Sequence, residues 1–221
     1  MTTPSLHDTV PQPKAESFLD WFRINSRVVW IGAVVVAAAV FGFWFYTRSV
    51  ALKNQNADKR LVSAKQSIGS GNLPLAQTDL KKVADQYAGT SAGAEAGMLL
   101  AQLKLDQGDN AGAVTALKEL TGRISSGPYA ASLRSLLGDA LAQSGKPADA
   151  AVEYDRASQL TTMPNERALI LSKAARAFAA AGNRDKARQA WESLASQQDN
   201  QALAAEARLR LGELLATPAK S

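Results

Sequence analysis

The stretch "GNRDKARQAW", Gly182 to Trp191, sets an alanine five residues after a glycine and a large aromatic four residues after that, with no catalytic set among them. Moving back 37 residues gives "GKPADAAVEY", Gly145 to Tyr154, with small and large residues at the same places, and two further steps give "GDNAGAVTAL" and "GNLPLAQTDL". The recurring positions are Gly71, Gly108, Gly145 and Gly182; Ala76, Ala113, Ala150 and Ala187; and Leu80, Leu117, Tyr154 and Trp191. Self-similarity at a fixed period is the signature of a repeat array.

Each period reads as helix, glycine turn, helix. In the third, "SLRSLLGDALAQSG" carries Leu133, Leu136, Leu137, Ala140 and Leu141 at helical spacing, and Gly145 ends the helix by taking the left-handed backbone that other residues resist. Pro147 then sits near the start of the next helix, where its missing N–H costs nothing. The alanine of each second helix predicts a close crossing over the first, and the large residue one turn later predicts a plug for the space between neighbouring units. Units of this kind cannot bury their apolar faces alone, so they stack, and a terminal helix with a polar outer face is needed to close the stack. "ALAAEARLRLGELLA", after residue 201, is expected to be that cap.

Composition agrees with an ordered chain: of 221 residues, 46% are hydrophobic and 20% charged, enough for a packed core. With no cysteine there are no disulfides, no thiol catalysis and no cysteine-ligated metal. The net charge of +5 is unevenly spread. Residues 1–47 sum to zero, because Lys14, Arg23 and Arg27 offset Asp8, Glu16 and Asp20; residues 48–65 hold Arg48, Lys53, Lys59, Arg60 and Lys65 against Asp58, which is +4. The remainder is close to neutral, so the body of the protein has no global basic field and nucleic acid is not an expected partner.

Between Arg27 and Arg48 lies "VVWIGAVVVAAAVFGFWFYT", twenty residues without a charge, or about 30 Å of helix at ~1.5 Å per residue. Trp30 stands at one end and Phe43, Trp44, Phe45 and Tyr46 at the other, where amphipathic rings favour the headgroup level. An Ala-x-Ala triplet at Ala37–Ala39 raises a cleaved signal peptide as a rival, but the residues after it are still apolar and the leading segment is not net positive, so the run reads as an uncleaved anchor. Ala38 and Gly42 have the spacing that lets membrane helices approach closely. Before the span, Ala15, Phe18, Leu19 and Phe22 form the stripe of an amphipathic interfacial helix, and the first dozen residues, with the only histidine, His7, read as a tail. Charge alone, by the positive-inside rule, places the repeat domain in the cytoplasm.

The small residues Ala64, Ala101, Gly138, Ala175 and Gly212, each followed by the glycine, alanine and large residue or standing at the end of the series, resemble the tetratricopeptide repeat over residues 57 to 221. The period of 37 departs from the family norm of ~34, and the early tryptophan is absent. The expected fold is all-α. It consists of a tail and interfacial helix over 1–27, a transmembrane helix over 28–47, a basic juxtamembrane helix over 48–65, four repeats over 57–200, and a capping helix and tail over 201–221. "GFWFYTRS" and "GNRDKARQAWE", within this plan, resemble a narrower bacterial family, the ancillary single-span subunit of the Sec translocon. That resemblance implies a cytoplasmic N-terminus and periplasmic repeats in the inner membrane, near translocon or chaperone partners, the reverse of the charge-based orientation.

No GxxxxGK[ST] phosphate loop, HExxH, GxSxG or clustered His/Asp/Glu set occurs, so neither enzyme, cofactor, metal nor small-molecule substrate is expected. The expected binding surface is the groove of the first helices, where one register holds Lys65, Gln102, Asp139, Arg176 and Glu213. Their signs alternate and cancel, which leaves either a solvated face or a binding ladder. The expected function is a membrane-anchored protein-interaction factor in protein export or envelope assembly. The alternative is a structural subunit of another membrane complex that contacts it mainly through the span.

Overall fold

The computed structural model describes residues 26–197 and 200–216. Nine helices run through them, with no strand among the described residues: α1 (Ser26–Gly69), α2 (Leu73–Gln86), α3 (Ser91–Asp106), α4 (Asn110–Arg123), α5 (Ala130–Gln143), α6 (Pro147–Leu160), α7 (Pro164–Ala180), α8 (Arg184–Ala195) and α9 (Gln201–Ala216). The chain divides into two compact units, residues 1–52 and 53–221. The tail with His7, the stripe Ala15–Phe22 and residues 217–221 lie outside the described residues.

In the first unit the described residues are helical throughout, and the apolar side chains from Trp30 to Tyr46 are exposed. This helix is long and apolar enough to cross a membrane. The span and the basic segment after it, expected as successive helices, lie in one uninterrupted helix.

In the second unit every expected hairpin forms, and the turn chemistry explains why. Gly71, Gly108, Gly145 and Gly182 all have φ between 72° and 78°. At each, the glycine N–H donates to a carbonyl three residues back and the next residue's N–H to one five back, as in Gly145 to Ala142 (3.0 Å) and Lys146 to Leu141 (2.9 Å). This is the Schellman closure, and it requires the left-handed residue that only glycine adopts freely. The residue that completes it is also the N-cap of the following helix. Asn72, Asp109 and Asn183 each accept a backbone N–H from three residues on, at Leu75, Gly112 and Lys186. In the third hairpin Lys146 has no side-chain cap, and Pro147 removes one of the N–H groups needing it. Two residues therefore end one helix and start the next.

Alternating small and large residues then build a continuous core. Ala64, Ala101 and Ala175 are fully buried and Gly138 is buried; Leu80, Leu117, Tyr154 and Trp191 are at most 4% exposed. A Cβ built on Gly138 would stand 2.6 Å from the Tyr154 ring, so the ring lies directly on the glycine of its own hairpin. Trp191 joins Ala168 and Ala175 of α7 to Ala207 of α9, filling the space between one unit and the next. Burying each such large side chain contributes about 1.5–3 kcal/mol. Among the described residues no buried side-chain N or O atom lacks a hydrogen-bond partner.

Candidate partner-binding groove

The first helices of the four hairpins, followed by α9, place Lys65, Gln102, Asp139, Arg176 and Glu213 at one register, and each of the five has a specific neighbour. Lys65 Nζ lies 2.5 Å from Glu95 on α3. Asp139 accepts from Lys173 Nζ of α7 at 2.9 Å on both carboxylate oxygens, and from the Tyr154 hydroxyl at 2.7 Å. Arg176 donates to both carboxylate oxygens of Glu206 on α9, at 2.7 Å each. Glu213 accepts from Arg210 of its own helix at 2.9 Å. Gln102 differs: its amide donates to Asp106, one turn along α3, at 2.8 Å.

These contacts explain the alternating signs. Three of the four steps from one first helix to the next are closed by an ion pair that starts at this register: Lys65–Glu95, Asp139–Lys173 and Arg176–Glu206. The ladder therefore staples neighbouring units together, and its rungs are already engaged. The partners Glu95, Lys173 and Glu206 were not singled out from sequence. Their signal was an opposite charge 30 or 34 residues after each rung, visible only once the first helices are known to lie side by side.

The step from α3 to α5 lacks a staple from this register. Around it stand Leu99 and Leu136, both half-buried, at the register that continues as Lys173 and Arg210 in later units. Ser132 and Ser135 are half-buried and Gln102 is exposed. The middle of the groove thus has no ion pair from this register between its first helices and is partly apolar, whereas its ends are charged and internally paired. At the far end a cleft of about 440 Å³ is lined by Arg176, Ala179, Trp191, Arg210, Glu213 and Leu214.

One electrostatic perturbation sits on the ladder. Burial pushes the Tyr154 phenol far above its ordinary value, and its bond to the Asp139 carboxylate adds to the effect. The phenol therefore stays protonated and donates to Asp139, while Lys173 Nζ lies 5.7 Å from the centre of the Tyr154 ring. Asp139 is half-buried in this three-helix junction, which makes it a structural group before it is a binding one.

The sequence profile of the tetratricopeptide repeat-like domain matches residues 20–124 and 56–174. The chain belongs to the tetratricopeptide repeat-like family. A tetratricopeptide repeat protein from Parabacteroides merdae superposes with a TM-score of 0.58 at 12% identity over 73% of this chain, which spans 60% of that protein's length. BtubC from P. vanneervenii gives 0.55 at 15% identity, with 73% and 72% of the two chains covered, and MamA gives 0.51 at 20%, with 72% and 86% covered. At these identities the likeness concerns the fold alone. None of the curated proteins compared with the chain matches it. The tetratricopeptide fold is one of protein–protein interaction, its members are generally non-enzymatic scaffolds, and no catalytic family is indicated.

Proposed function

We propose that this tetratricopeptide protein is anchored in the bacterial inner membrane by its N-terminal apolar helix, with the N-terminus cytoplasmic and the repeats in the periplasm. There it holds translocon or chaperone partners beside the bilayer as an accessory factor of protein export or envelope assembly. The observation that carries this reading is the presence, in one chain, of an apolar helical segment whose large side chains from Trp30 to Tyr46 are exposed and of a stacked interaction fold. The resemblance of "GFWFYTRS" and "GNRDKARQAWE" to the Sec-associated family supports the orientation.

Within the groove, the unstapled middle step is the place where a partner meets the protein. Energetic hot spots concentrate where water is excluded at the centre of an interface, while exposed rim charges contribute little. Leu99 and Leu136 supply apolar surface there, with Gln102, Ser132 and Ser135 as hydrogen-bonding groups.

A phosphatase that folds only after export, fused after Ser221, tests the topology: activity is expected, and activity only of a cytoplasmic reporter overturns the orientation. Leu136→Glu and, at an exposed position, Gln102→Arg test the groove by recovery of translocon components in mild detergent, which is expected to fall for both, with the melting temperature unchanged for Gln102→Arg. Unchanged recovery with Leu136→Glu, together with loss of recovery on Ala38→Leu with Gly42→Leu, assigns the contact to the span instead.

A further inference from the structure

Within the repeat unit the basic residues of α1 differ from those of the later first helices. The lysines and arginines of α3, α5 and α7 all have partners: Lys104 pairs with Asp109, Arg134 with Glu153, Lys173 with Asp139 and Arg176 with Glu206, while Arg167 donates to the Thr161 carbonyl. On α1 Lys65 pairs with Glu95, but the side chains of Lys53, Lys59 and Arg60 are exposed and make no hydrogen bond, ion pair or ring contact among the described residues. At about 100° per residue these three fall within one arc of roughly 120°, together with the exposed Asn56 and Ser63. Ala57, Leu61 and Ala64, buried against the repeats, lie beside that arc, and the only acid between Lys53 and Lys65, Asp58, lies nearly opposite its centre. The arc is open, polar and charged with one sign.

We propose that this arc of α1 rests on an anionic phospholipid surface, with Lys53, Lys59 and Arg60 on lipid phosphates. Two observations select lipid as the occupant. The charge is complementary to it, and the arc is held where such a surface lies: Lys53 follows Thr47, the last residue of the charge-free run, by six residues, at most about 21 Å of chain, and Lys59 and Arg60 continue the same helix. A face on so short a tether meets the phosphates around its own anchor at the effective concentration of a linked ligand. Each Lys or Arg held near an anionic leaflet, within a screening length of ~8–10 Å, shifts the balance towards the bound state about fivefold. The three charges are free to do so, because no ion pair has to break first. The proposal rests on the reading of the apolar helix as a membrane span. It holds whichever side the repeats occupy, because a phosphate surface borders both ends of a span.

The chain has no cysteine, so one introduced thiol reports on this face in the full-length protein reconstituted in vesicles. Asn56→Cys, at the middle of the arc, carries a fluorophore, and the vesicles contain phosphatidylcholine with a nitroxide quencher on its headgroup. Quenching is expected to be greater in mixed phosphatidylglycerol–phosphatidylcholine vesicles than in phosphatidylcholine alone, and high salt should remove the excess. The excess should also vanish in Lys53→Gln with Lys59→Gln and Arg60→Gln, persist in Lys53→Arg with Lys59→Arg and Arg60→Lys, and be absent for a fluorophore at Gln159→Cys, exposed on α6. A fluorophore at Ala37→Cys, quenched by nitroxide on the acyl chains in both kinds of vesicle, reports separately that the span is inserted. Equal quenching at Asn56→Cys in the two kinds of vesicle, with Ala37→Cys quenched, overturns the proposal and leaves the membrane reading standing; an unquenched Ala37→Cys overturns both. If the three glutamines leave the lipid-dependent quenching unchanged the proposal also falls, and a lowered recovery of co-purifying protein then assigns the arc to a protein partner.

Discussion

Gly138 and Gly212 occupy the same place in the repeat, two periods apart, and have opposite surroundings. The first lies under a tyrosine ring so closely that a Cβ would stand 2.6 Å from it; the second has nothing within 4 Å. Periodicity put both in one series of small residues, with Ala64, Ala101 and Ala175. What differs is that α6 lays Tyr154 over Gly138, whereas among the described residues no side chain lies over Gly212. A repeat position defines an acceptor, and only the neighbouring element decides whether it is filled.

The largest way to break this contrast is to remove the filler. Tyr154→Ala empties the space over Gly138 and is expected to cost about 3–5 kcal/mol, read as a lower thermal midpoint by circular dichroism of the full-length protein in detergent. A change of less than about 1 kcal/mol means that the ring is not a core plug.

Adding bulk at the two glycines separates them directly. Gly138→Leu forces side-chain carbon into the ring and is expected to destabilise by about 1–3 kcal/mol. Gly212→Leu fills open space and replaces a flexible helical residue, so the folded state should gain about 0.5–1 kcal/mol. Equal shifts for the two variants remove the distinction between a filled and an open acceptor.

Tyr154→Phe keeps the ring and deletes only its hydrogen bond to Asp139, at an expected cost of about 0.5–1.5 kcal/mol near neutral pH. The sign of the pH dependence is fixed by the direction of the shift. The folded phenol titrates above its unfolded value of about 10, so its contribution is complete below that pH and fades as pH rises towards the folded value. The wild-type protein should therefore lose stability above about pH 10 more steeply than Tyr154→Phe; parallel curves show that the phenol does not couple to folding.

The smallest effect is expected at the first staple. Lys65 and Glu95 have side chains 46% and 43% exposed. Glu95→Gln should thus change stability by less than about 1 kcal/mol, and 0.5 M salt should reduce even that. A larger loss makes this rung comparable to the half-buried Asp139 junction.

Much of this was legible in the residues. Four glycines at one spacing gave four left-handed turns, because the Schellman closure tolerates almost nothing else, and the alanines after them, Ala76, Ala113, Ala150 and Ala187, are all fully buried. The five-membered ladder was legible as a register but not as a set of bonds. Lys65, Asp139 and Arg176 each pair with a helix 30 or 34 residues on, and nothing local to those residues names the partner. The groove's unstapled middle step was hidden for the same reason, since nothing local to Gln102 shows that it bonds only along its own helix, to Asp106.

The sequence by itself determined the elements: a charge-free run long enough to cross a bilayer, and helix hairpins whose ends are written in glycine, asparagine, aspartate and proline. These depend on interactions within a few residues, and such interactions recur wherever the residues recur. Tertiary structure alone decided which charges became staples, that Tyr154 and Asp139 share a junction with Lys173, and that Gly138 is covered by a ring while Gly212 is exposed. Each of those outcomes depends on what lies beside a residue in space, and in a stack the neighbour at the end is different from the neighbour in the middle.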